Sequence, residues 1–266
     1  MRSWLAVLAC SGLLASAAAA QHHAHGTSRR PTHRAPDPGD GTSLSVGRHN
    51  RGRLLRARQL HESTSLRFKQ PQSDTHWGTD ELVALLERAG AAVMARTPGA
   101  RLTIGDLSRR GGGRFPPHHS HQSGRDVDVG FYVTDADGVP MDLDRFFTFR
   151  RDGTVRNHDA MRYDFTRNWQ LVEALVMDEV PVQWIFVSRE LRARLLDEGR
   201  TRGASAEALM RADAILSQPS HGGRHADHFH VRIYCPAADR PRCIDEPPLH
   251  PWLGGPATAS APPAGD

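Results

Sequence analysis

Two short segments gather the imidazoles and carboxylates that could act together. In the first, His118, His119 and His121 precede Gly124 and the pair Asp126 and Asp128. In the second, His225, Asp227, His228 and His230 crowd into six positions. A strand places residues two apart on one side, so His228 and His230 share a face while Phe229 and Val231 turn to the opposite one. Taken alone, that His-x-His pair is equally compatible with exposed or core-satisfied histidines. The first segment changes the balance. Gly124 permits a sharp turn that returns the loop histidine His121 to the strand carboxylate Asp128, and neutral imidazole and carboxylate are both good zinc ligands. His121, Asp128 and His230 then offer three protein donors and leave a fourth position open. An open zinc site is a hydrolytic one: the ion polarises a carbonyl and activates water.

These donors need rigid elements beneath them. Residues 79–95 form the clearest predicted helix, with Thr79 as N-cap, Asp80 and Glu81 in the first turn, and Leu82, Leu85, Leu86, Ala89 and Val93 on one apolar face. Strands are expected at 101–107, 126–133, 182–188 and 227–234, the second from the alternation of Val127 and Val129 with Asp126 and Asp128. Further helices are expected at 164–177, 190–196 and 206–216. Residues 42–60 read as an irregular entry with a short strand. The Gly111–Gly113 run and Phe115-Pro116-Pro117 make a loop that delivers the first histidine cluster. Strands and helices alternate irregularly, so the expected fold is α+β: one domain with a central, largely antiparallel sheet, flanked by helices and long loops, carrying the zinc site on the sheet.

The chain of 266 residues should fold only in part. Residues 1–20 read as a secretory signal: Arg2, an apolar run from Trp4 to Leu14, then small residues. The run is short for a membrane anchor, and no later stretch is long enough, so no stable membrane insertion is expected. Residues 21–40 are polar and Pro-rich and read as a disordered linker, 41–253 as the domain, and 254–266 as a flexible tail. Loss of the signal removes Cys10 and leaves Cys235 and Cys243, an even pair that suggests one disulfide in an exported protein. Neither lies in a Cys-x-x-Cys pattern, so metal chemistry falls to His and carboxylates. The net charge of +4 suits an anionic wall polymer or membrane surface better than nucleic acid in an exported chain, although a soluble basic surface needs no partner.

The motifs carry a resemblance. His-x-x-Gly-x-x-x-Asp from His121 to Asp128, followed far downstream by His228-x-His230, resembles the zinc peptidases grouped as lysostaphin, D-Ala-D-Ala peptidases and sonic hedgehog. Ser120–Asp128 and His225–Arg232 are more finely similar to the core motifs of the penicillin-insensitive murein endopeptidase family. Gly105-Asp106, Gly112–Phe115, Ile185–Val187 and Ser45–Gly47 with Asn50 and Gly52 extend the likeness from about residue 43 to Pro247.

The resemblance implies a periplasmic zinc endopeptidase that hydrolyses the D-alanyl–meso-diaminopimelyl bond of peptidoglycan cross-links. It places the zinc on His121, Asp128 and His230. His228 matches a base or oxyanion-stabilising residue, and His225 another active-site histidine; either role is open to a purely orienting one. A second nearby ion would take His118, Asp152 and His158, the last at an enlarged spacing. His119 has no counterpart. The single cysteine pair departs from better-known members, which carry several. Two other readings stay open: a zinc D,D-carboxypeptidase, with Arg114, Arg125 or Arg232 receiving a terminal carboxylate, and a non-catalytic wall-binding module. No Ser nucleophile motif is present, and β-lactam insensitivity follows from that chemistry.

Overall fold

The computed structural model describes residues 43–220 and 222–253. The expected signal, linker and tail lie outside them. Six strands build the central sheet: β1 (Leu66–Phe68), β2 (Leu102–Ile104), β3 (Asp126–Gly130), β4 (Val182–Phe186), β5 (Leu216–Ser217) and β6 (His228–Ile233). Their spatial order is β5-β4-β6-β3-β2-β1. The middle pairs β4–β6, β6–β3 and β3–β2 are antiparallel; both edges, β5–β4 and β2–β1, are parallel. The sheet is therefore mixed, with an antiparallel centre.

Register at that centre positions the chemistry. His230 lies opposite Asp128, His228 opposite Gly130 and Arg232 opposite Asp126. One face thus carries Asp126, Asp128, His228, His230 and Arg232. The intervening Val127, Val129, Phe229 and Val231 point the other way and are completely buried. Each such side chain contributes about 1.5–3 kcal/mol by leaving water. A one-residue slip would exchange the two faces, so hydrophobic burial holds the polar set in place.

Four helices pack with that apolar face: α1 (Asp80–Arg96), α2 (Phe165–Val176), α3 (Arg189–Thr201) and α4 (Ala206–Ile215), with α2 touching the other three. Thr79 caps α1 by accepting from Leu82 N–H, as the sequence suggests, and Asp164 caps α2 in the same way through Arg167 N–H. α3 runs to Thr201, beyond the expected 196; Ser188 caps it, and Leu191, Leu195 and Leu196 face the core. No helix among the described residues is long and apolar enough to cross a membrane.

Three parts depart from the sequence reading. The expected irregular entry is a regular antiparallel hairpin, Leu44–Arg48 with Arg51–Leu55, in which Gly47 faces Gly52. A Cβ on Gly47, at φ +78°, would lie 2.5 Å from the Arg51 carbonyl oxygen. The expected 126–133 strand breaks at Gly130, and Val133–Thr134 joins a separate four-stranded sheet with Pro140–Met141, Thr154–Val155 and His158–Tyr163. β1 was not foreseen either. The disulfide Cys235–Cys243 forms. It closes a loop docked on the hairpin: Ser45 N–H donates to the Asp239 carboxylate (2.7 Å), and Ile244 N–H to the Gly47 carbonyl (3.0 Å).

Candidate metal centre

The loop that brings His121 to the sheet is built on Ser108. Its hydroxyl donates to the His121 carbonyl (2.6 Å) and accepts from Gly124 N–H (3.1 Å). Gly124 lies at φ +76°, and a Cβ there would stand 2.6 Å from the Leu54 side chain. His121 itself adopts φ +65°, and His225 φ +50°. A non-glycine residue in the left-handed region costs energy that the surrounding packing must offset, a pattern found at functional sites. Asp128 is pinned by the segment that follows β2: its N–H donates to the Asp106 carbonyl (2.9 Å), and its carbonyl accepts from Gly105 N–H (2.8 Å).

Three donor atoms converge. His121 Nε2 lies 3.3 Å from Asp128 Oδ1, His230 Nδ1 lies 3.2 Å from that same oxygen, and the two nitrogens are 3.3 Å apart. The opposite edges of the rings settle their tautomers. His121 Nδ1 faces the Leu107 carbonyl at 2.7 Å, which can only accept, so that nitrogen carries the proton. His230 Nε2 faces Asp126 Oδ1 at 2.9 Å and is likewise the donor. In the neutral rings both inner nitrogens then present lone pairs to a carboxylate oxygen. Asp128 Oδ1 is buried with no hydrogen-bond partner. Three buried donor atoms facing one another are suited to hold a cation. Donors about 2.0–2.2 Å from a tetrahedral ion stand roughly 3.3–3.6 Å apart, so the triangle fits zinc without rearrangement.

Supporting groups surround the triangle. Asp126, completely buried, accepts from both His230 Nε2 and Arg232 Nε (2.6 Å) through Oδ1. Burial opposes its charge, but Arg232 and His230 outweigh it and hold the carboxyl well below the usual range. Asp128 is likewise held low: burial opposes, while His121, His228 and His230 favour the anion. Burial works against charge on His121 too, and Asp128 more than compensates, raising its pKa. His118 spans two carboxylates, with Nε2 3.0 Å from Asp106 Oδ2 and Nδ1 3.7 Å from Asp128 Oδ2. One donor atom each from His118, His121 and Asp128 lies within 4.8 Å of the others.

His228 and His225 stand beside this centre. His228 Nε2 is 3.5 Å from Asp128 Oδ1, and its Nδ1 is 2.9 Å from Asp227 Oδ1 at an angle outside hydrogen-bond geometry. Burial lowers its pKa, but the two carboxylates raise it further, to about 9. His225 is driven the opposite way, to about 4, by burial and then by the neighbouring His228 and His230. Its ring centroid is 5.1 Å from that of His228 and 5.7 Å from that of His230. The residues open into a cleft of about 920 Å³, ample for a peptide segment.

Asp152 and His158 stand apart from this group. Asp152 Oδ1 accepts from the N–H and hydroxyl of Thr154, and the His158 ring packs edge-on against Phe147, centroids 4.9 Å apart. Among the described residues, neither joins the donor group of His118. His119 is exposed on the cleft wall. The sequence reading gave no role to Asp126, Asp106, Asp227 or His49, which also lines the cleft. For Asp126 a signal existed, since it shares a strand face with Asp128. For His49 there was none.

A mixed sheet thus carries a buried His/Asp/His triangle beside an open cleft, an arrangement compatible with a metal ion. A sequence model described as penicillin-insensitive murein endopeptidase matches residues 45–259. Three curated proteins of that name are similar to the chain. That of Haemophilus influenzae is 27% identical over 215 residues, covering 79% of this chain and 70% of its own. That of Klebsiella pneumoniae strain 342 is 26% identical over 272 residues, covering 97% and 89%. That of Escherichia coli O17:K52:H18 is 27% identical over 223 residues, covering 82% and 75%. The chain belongs to the penicillin-insensitive murein endopeptidase family.

Proposed function

We propose that this protein is an exported zinc endopeptidase that hydrolyses peptide cross-links of peptidoglycan, with the D-alanyl–meso-diaminopimelyl bond as its target. The observation that carries the reading is the convergence of three buried atoms, His121 Nε2, Asp128 Oδ1 and His230 Nδ1, while the outer nitrogens of both rings are engaged by Leu107 and Asp126. These residues would hold the ion. When bound, zinc supplies Lewis acidity and makes water nucleophilic near neutral pH.

The chain supplies the rest. Leu107 and Asp126 orient the two imidazoles through their outer nitrogens, which fixes the inner lone pairs. His228, beside Asp128 and on the same face, donates a hydrogen bond to the oxygen that gains charge at the scissile carbon, and passes a proton to the leaving amine. His225 lines the cleft next to it and positions that exchange. Asp227 stands at the outer edge of the His228 ring and favours its charged form. The family name, the leader-like first 20 residues and the cleft support an envelope location, the periplasm, with peptidoglycan as partner.

One ion per chain is the reading these contacts favour. For a second ion on His118, Asp152 and His158 the donors do not converge: among the described residues, Asp152 and His158 lie outside the donor group of His118. The three arginines named for a terminal carboxylate are not free in this cleft. Arg125 is buried against Asp245 (3.0 Å), Arg232 is held by Asp126, and Arg114 lines a different depression. Digestion of purified cross-linked muropeptide dimers tests the proposal. Monomers without released D-Ala are expected; free D-Ala would indicate a carboxypeptidase, and intact dimers a wall-binding module.

A further inference from the structure

Four arginines line the metal cleft, and they are not equivalent. Arg232 is tied to Asp126, and Arg224 to Glu190 at 2.6 Å. Arg150 and Arg151 are exposed, and among the described residues neither guanidinium has a hydrogen-bond or ion-pair partner. The acidic groups of the cleft are already engaged: Glu190 by Arg224, Asp227 by His228, and Asp128 within the donor triangle. The adjacent Asp152 directs Oδ1 to Thr154. The rim therefore carries two arginines that, among the described residues, no carboxylate holds in an ion pair, with the Asp152 carboxylate close enough to feel Arg150.

Their placement is fixed by the histidine segment. Phe149, buried in the core, donates its N–H to the Ala226 carbonyl at 2.7 Å, which joins the arginine segment to the chain between His225 and His228. Arg150 N–H donates to the Thr154 carbonyl (2.9 Å), and Gly153 N–H to the Arg150 carbonyl (3.0 Å), closing a tight turn with Gly153 at φ +81°. The guanidiniums are thus mounted on a turn anchored to the catalytic side of the cleft.

We propose that Arg150 and Arg151 form an anion subsite that seats a carboxylate of the substrate peptide next to the scissile bond. The inference rests on the endopeptidase reading and adds a specificity element to it. Cross-linked stem peptides carry free carboxylates, and arginine binds carboxylate through paired, charge-assisted hydrogen bonds. Recognition of this kind is uniform binding: it holds the substrate without touching the reacting atoms, so it belongs in KM.

The test compares the wild type with an Arg150→Gln/Arg151→Gln double variant, zinc content matched. Both are assayed on muropeptide dimers with free carboxyls and on dimers amidated at one carboxyl at a time. The expected result is a KM raised about 10-fold to 100-fold in the variant with kcat nearly kept. Amidation of one particular carboxyl should cost the wild type a similar factor and the variant nothing further, and Arg→Lys at both positions should restore part of the loss. A wild type indifferent to every amidation, a variant that loses kcat at unchanged KM, or two losses that multiply would each overturn the proposal. Equilibrium binding of a monomeric muropeptide to the intact proteins reads the subsite without turnover. A Kd raised about ten-fold in the variant supports the subsite, and an unchanged or undetectable one overturns it. Binding that depends on the arginines, with no cleavage by the wild type, would sink the endopeptidase reading alone.

Discussion

Asp126→Asn changes one atom of a completely buried carboxylate and probes how the metal centre is supported. In the wild type one oxygen accepts from His230 and from Arg232, while Oδ2 has no partner. The amide oxygen of Asn can keep both contacts. Its NH2 then occupies the unpartnered side, and Arg232, a residue only 7% exposed, loses its counter-charge. Removing one partner of a buried ion pair costs about 3–5 kcal/mol. His230 loses the charged partner that orients its ring, and loss of such a partner lowers metal affinity about 10-fold to 100-fold. Urea unfolding of the metal-free protein reads the first effect, and zinc competition with a chromogenic chelator reads the second. A stability loss under about 1 kcal/mol together with unchanged zinc affinity would refute the reasoning, because neither the Arg232 pairing nor the His230 orientation would then depend on the charge.

Removing any one inner donor, by His121→Ala, Asp128→Ala or His230→Ala, should abolish zinc binding and cleavage together; full zinc with normal turnover in one of them would remove that residue from the ligand set. His228→Ala should keep its zinc and lose about 10²–10⁴-fold in turnover, so metal analysis and dimer digestion on one preparation separate it from the ligands. Metal analysis of the wild type should find one zinc per chain, and a second tightly held ion would revive the set containing Asp152 and His158. His49 supplies a pH dependence. Burial, then Arg232, lowers its pKa from 6.5 to about 4, so the folded protein stays neutral there while the unfolded chain takes up a proton. Stability should therefore fall as pH drops below 6.5, by about 2 kcal/mol at pH 5. His49→Gln should flatten that slope in urea unfolding, and an unchanged slope would show that other groups set it.

The sequence by itself determined the local pieces. Alternation of Val127 and Val129 with Asp126 and Asp128 decided which residues share a strand face, and Thr79 marked the start of α1, because both depend on neighbours a few positions away. The types and spacing of His121, Asp128, His228 and His230 were enough to suggest metal chemistry and the family. What the sequence left open depended on residues distant along the chain. Only the β3–β6 register sets His230 opposite Asp128, and only the docking of the Ser108 loop brings His121 to the same oxygen. The support of His230 by Asp126, the engagement of Arg125 and Arg232 by carboxylates, and the exposure of Arg150 and Arg151 on the cleft follow from that packing. So does the placement of Asp152 and His158 outside the donor group. The hairpin at 44–55 was missed because its arginines carry no strand pattern; its form rests on the Gly47–Gly52 pairing and on the disulfide loop docked against it. A tautomer, a charge partner or a cavity wall is set by which surfaces meet, and contacts between distant segments exist only once burial of the shared core has fixed where each strand and loop lies.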